Sequence, residues 1–111
     1  MPGPLEISAR DVKQRLDAGE TLHLIDVREP SEFATCKIEG ATLIPMRTVP
    51  GELQDLQTKA ASGTVVVFCH HGMRSMNVVH WLREQGLDNC VNMAGGIDAW
   101  SATVDPTVPR Y

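Results

Sequence analysis

Cys69 stands where a short apolar run, residues 65–68, gives way to small and polar residues. Helical spacing resumes soon after, at Ser75, Val78, Val79 and Leu82. An apolar run without alternation fits a strand buried on both faces of a parallel sheet. Gly86 stands where a glycine would end the following helix. The thiol is therefore expected at a strand's carboxyl end, facing a helix N-terminus across a tight loop. Backbone N–H groups converge in such a loop, and the helix dipole adds roughly half a positive charge. Both favour thiolate over thiol, which makes Cys69 a candidate nucleophile. The plain alternative is an inert buried cysteine at a strand end.

The residues after it have roles to match. His70 and His71 could steer an anionic substrate or adjust the thiol, or could simply be exposed loop side chains. Gly72 lets the backbone curl, and the substrate-binding candidates run from His70 and His71 through Gly72 and Met73 to Arg74, whose guanidinium suits an oxyanion. Metal binding by Cys69, His70 and His71 is not expected, because adjacent residues rarely converge on one ion and no second pair has zinc spacing. No cofactor is implied. The other cysteines, Cys36 and Cys90, form neither a CxxC pair nor, with Cys69, an even disulfide framework. Free thiols in a reducing compartment fit that count.

The elements that must position these residues follow from the spacing of apolar runs and breakers. Residues 5–8 could form a short edge strand, and Ser8 with Asp11 reads as an acidic capping box opening a helix that carries Val12 and Leu16 and closes at Gly19. Residues 22–27 form a second strand, with Asp26 and Arg28 bracketing its end. Pro30 suits the first turn of a short helix bearing Phe33. Arg28 and Glu32, four apart, could pair there, worth about 0.3–0.5 kcal/mol if exposed. A third strand at residues 42–45 stops at proline; after a Pro50-Gly51 turn, a helix over 52–59 turns Leu53 and Leu56 inward. Residues 90–93 make a fifth strand, Gly95-Gly96 a tight turn, and residues 97–100 begin a last helix. Residues 104–111, with two prolines, are expected to run extended along the surface. Strands alternating with helices imply an α/β fold: a parallel sheet with helices on both faces. Sites in such sheets form at the carboxyl ends of strands. Cys69, residues 26–28 and the double glycine all fall at that edge. Asp26, Arg28 and Glu32 are read as fixing the rim of the site, and Trp81 and Trp100 as packing residues.

At 111 residues the chain is expected to be one domain, with a core over about residues 5–103. Its net charge of −4 offers no basic field for nucleic acid. No apolar run approaches membrane length, and residues 1–10 lack a signal peptide's charged and apolar regions, so the cytoplasm is the expected location.

Four ordered stretches resemble the signatures of the rhodanese domain: residues 26–30 with Glu32 and Phe33; residues 38–41 with Ile44 and Pro45; the loop 69–74; and Gly95-Gly96-Ile97 with Trp100. The resemblance spans about residues 5–100 and implies a five-stranded parallel sheet flanked by helices. It also implies transfer of a sulfane sulfur, from thiosulfate or a similar small anionic donor, through a persulfide on Cys69. The acceptor would be cyanide, a thiol or a protein sulfur site. Two positions depart from the family pattern: Cys36 and Lys37 stand where glycine and histidine are usual, and His70 where arginine is frequent. Cys36 thereby becomes a candidate resolving thiol, provided the Cα atoms can approach to about 4.4–6.8 Å. Two other functions are open. Cysteine phosphatases need Cys-x5-Arg to wrap a tetrahedral phosphate, whereas Cys69 and Arg74 are separated by four residues. A relay or docking module without free turnover is the alternative outside enzymology.

Overall fold

The structure, a computed structural model, describes residues 4–111; the reading of residues 1–10 as free of a signal peptide falls partly outside that range. In chain order the elements are β1 (Glu6–Ser8), α1 (Ala9–Asp17), β2 (Leu22–Asp26), α2 (Pro30–Thr35), β3 (Thr42–Leu43), a 3-10 helix over Met46–Glu52, α3 (Leu53–Ser62), β4 (Thr64–Phe68), α4 (Met73–Glu84), β5 (Cys90–Ala94) and α5 (Gly96–Thr103). The five strands form one parallel sheet in the order β1-β5-β4-β2-β3. Strand β4 is central, with Val66 aligned between Leu24 of β2 and Val91 of β5. Among the described residues no helix is long and apolar enough to cross a membrane.

Side chains alternate across the sheet, and the alternation decides where Cys69 points. Val66 and Phe68 enter the core beneath α1 and α5, with Val12, Ile97 and Trp100. Val65, Val67 and Cys69 enter the opposite core, with Leu56 of α3 and Val78, Val79 and Leu82 of α4. Because β4 is covered on both faces, its valines are fully buried. Each such side chain is worth about 1.5–3 kcal/mol of transfer free energy.

Three expectations need correction. Residues 46–52 are a 3-10 helix with Pro50 inside it, and not only a turn. Helix α4 starts at Met73, two residues before the apolar spacing shows it; the exposed Met73 (81%) and the charged Arg74 carry no periodic apolar signal. The tail is not simply extended. Val104 and Asp105 donate to the Trp100 carbonyl, Asp105 caps Thr107, and Val108 is buried in the core beside Trp100. That fold-back returns Tyr111 to the strand edge where Cys69 lies.

Candidate active site

Cys69 follows β4 directly and is 1% exposed. Its sulfur lies within hydrogen-bond reach of three donors: the Gly72 N–H at 3.1 Å, the Ser75 N–H at 3.4 Å and the Ser75 hydroxyl at 3.3 Å. Gly72 is the N-cap of α4 with φ +109°, a left-handed conformation that other residues resist, and this bend aims its N–H at the sulfur. Burial pushes the Cys69 thiol up. The Ser75 hydroxyl, the two N–H groups and the nearby Arg74 charge outweigh that, and the thiol lies below its ordinary value. Cys90, by contrast, is raised by burial, against a smaller opposing effect of Arg83.

The loop is braced from β5 and α5. Asn92 accepts from the Ser75 hydroxyl at 2.5 Å and donates to the Gly72 carbonyl and to Glu6. The first turn of α5 donates to the loop carbonyls, Ile97 to Cys69 at 2.9 Å and Asp98 to His70 at 3.1 Å. Gly96 makes this approach possible: it has φ +60°, and a Cβ there would run into the Cys69 and His70 carbonyls.

The rim residues form a continuous chain of bonds, though not with the expected pairing. Arg28 is fully buried and pairs with Asp26, not with the Glu32 carboxylate. Its terminal nitrogens also donate to the Cys36 and Glu32 carbonyls and to the Tyr111 hydroxyl. Burial lowers the Arg28 pKa, but its bonds to Asp26 and Tyr111 raise it further, so the cation is fixed. The Glu32 carboxylate takes Arg74 bidentately, at 2.7 and 2.9 Å, and also accepts from Tyr111 at 2.7 Å. The Arg74 bonds hold Glu32 well below the usual carboxylate range, against an opposing effect of burial. Burial pushes the Tyr111 hydroxyl up to about 12, so it stays protonated and donates. Local spacing suggested Arg28 with Glu32 because they lie one helical turn apart. Asp26 wins because it is buried beside Arg28 and can accept from its backbone as well.

Of the loop residues, the structure puts Gly72 on the sulfur and Arg74 on Glu32. The His70 ring lies between His71, at a centroid distance of 3.9 Å, and Tyr111, stacked at 3.8 Å. Met73 is at the surface. Cys36 does not share the site: it packs in the core on the sheet face opposite Cys69, with Arg28 3.8 Å from its sulfur. The resolving-thiol reading therefore fails on geometry. Ser75, Asn92 and Tyr111 were missed from sequence. Asn92 did leave a signal, as a polar residue inside the apolar strand 90–94; Tyr111 left none.

A family model described as "Rhodanese-like domain" matches residues 8–103. The chain is 41% identical over 101 residues to the putative sulfurtransferase YtwF of Bacillus subtilis, covering 91% of this chain and 94% of that protein. It is 39% identical over 89 residues to the chloroplastic rhodanese-like/PpiC domain-containing protein 12 of Arabidopsis thaliana; there it covers 79% of itself and spans only 30% of the plant protein. Its fold is similar to the crystal structure of a rhodanese-like domain protein from Staphylococcus aureus, with TM-score 0.79, 29% identity, and 97% and 99% of the two chains covered.

Proposed function

The chain belongs to the rhodanese-like domain family, and on that premise we propose that it is a sulfurtransferase working through a persulfide on Cys69. The observation that carries this is the convergence of three donors on one buried sulfur. The Cys69 thiolate attacks the outer sulfur of thiosulfate or a similar donor. A new S–S bond forms, the donor's S–S bond breaks, and sulfite leaves with the electron pair. The acceptor, cyanide or a thiolate, then attacks the terminal sulfur and returns Cys69 as thiolate. Neither step removes a proton from a carbon or oxygen, so no general base is needed. The demand is electrostatic: donors already oriented must hold negative charge on sulfur.

Phosphate transfer is disfavoured by more than loop length. The guanidinium fork that would take two phosphate oxygens is already occupied by Glu32. Free Cys36, Cys69 and Cys90 support work in a reducing compartment.

Intact mass after incubation with thiosulfate is the test. A gain of one sulfur atom, lost on adding cyanide and absent in Cys69→Ser, is expected. Turnover without an adduct, or an adduct that survives in Cys69→Ser, would refute the persulfide route.

A further inference from the structure

We infer that His70, His71 and Asp98 form a binding site for a divalent transition-metal ion of the Zn2+ type, on the loop that carries Cys69. One nitrogen of each histidine and one carboxylate oxygen of Asp98 lie within 4.8 Å of one another. Among the described residues this is the one group of three with such a spacing. His71 Nδ1 is 3.9 Å from Asp98 Oδ2. Zinc ligands at about 2.0–2.1 Å from a tetrahedral ion stand about 3.3 Å apart, so side-chain rotations that draw the three atoms together by up to about 1.5 Å complete the site. His71 is free to make them, its side chain being 64% exposed.

Independently, the Nε2 atom of His70 is buried and finds no hydrogen-bond partner among the described residues. Buried polar atoms rarely go unsatisfied, and an imidazole bound to an ion has its acceptor nitrogen satisfied. The His70 ring and the backbone that carries Asp98 are in place before any ion arrives. The Asp98 N–H donates to the His70 carbonyl, and Tyr111 stacks on the His70 ring. Two imidazoles and one carboxylate suit zinc and its neighbours; magnesium and calcium want a shell of oxygens. The adjacency of His70 and His71 gave no expectation of a metal because the third ligand comes from α5, which tertiary structure brings alongside.

Arg110 competes for the carboxylate, donating to Asp98 from Nε at 2.9 Å and from a terminal nitrogen at 3.1 Å. This gives the test a sign that misfolding cannot imitate. Calorimetric titration of the native protein with Zn2+ should show one ion per chain. His71→Ala and Asp98→Asn should each weaken binding by about tenfold or more, whereas Arg110→Ala should tighten it several-fold by releasing the carboxylate. Cys69→Ser should bind as the native protein does, within about twofold, since the sulfur is not a ligand. No saturable binding up to millimolar Zn2+, binding unchanged in His71→Ala, or binding lost in Cys69→Ser would each overturn the assignment. So would an Arg110→Ala variant that binds no more tightly than native.

Discussion

Ser75→Ala isolates one of the three donors on the Cys69 sulfur while leaving both backbone donors in place. The hydroxyl lies 3.3 Å from the sulfur and 2.5 Å from Asn92 Oδ1, and it has a single proton. Opposite a thiol, that proton goes to Asn92; opposite a thiolate, it turns to the sulfur. The net gain for the thiolate is therefore a charged hydrogen bond less a neutral one. Hydrogen bonds to charged groups contribute about 1.5–3 kcal/mol, and the exchange puts this case at the lower end. About 1.4 kcal/mol is a factor of ten, so the thiolate-to-thiol ratio at a fixed acidic pH should fall roughly tenfold. Iodoacetamide alkylation of Cys69 followed against pH reads this directly. The profile should shift to higher pH, and sulfur transfer below the shifted midpoint should fall by a similar factor while the transfer rate at high pH changes little. An alkylation profile coincident with native would refute the assignment of Ser75 as a thiolate donor. A uniform loss of transfer at every pH would instead mean that Ser75 matters for loop shape.

The remaining predictions rest on the same geometry. Cys36→Ser and Cys90→Ser should keep most of the sulfur-transfer activity, and mild oxidation should yield no Cys36–Cys69 link in a peptide map, because the sheet lies between the two thiols. Glu32 has its folded pKa held below the ordinary value of about 4.3. Its stabilising effect is thus fully present above that pH and is lost as pH falls through the depressed value. The urea midpoints of native and Glu32→Gln should accordingly converge on acidification; a gap that stays constant down to strongly acidic pH would sink this assignment. Inserting one glycine between Gly72 and Met73 should weaken sulfur transfer, since a preorganised site tolerates displacements of only about 0.5 Å. An inserted variant that transfers sulfur as well as native would show that loop length does not shape this pocket.

Local chemistry in the sequence determined the frame of this protein. The unbroken apolar run before Cys69, the helical spacing after it and the glycine at 86 placed the thiol at a strand-to-helix junction. Alternation of strands and helices gave the parallel α/β fold. These signals are legible because burial of a central strand and the periodicity of a helix leave their mark on neighbouring residues. What the sequence could not supply was which partners meet across the sheet's edge. Asp26 takes Arg28 and Glu32 takes Arg74, a pairing across 42 positions that no helical spacing encodes. Asn92 braces the loop from another strand, and Tyr111 arrives from the folded-back tail. Asp98 joins the histidines only because Gly96 lets α5 abut the loop. Each of these choices is a competition among polar groups for a few buried positions. Its outcome depends on distance and desolvation in three dimensions, which chain order does not record.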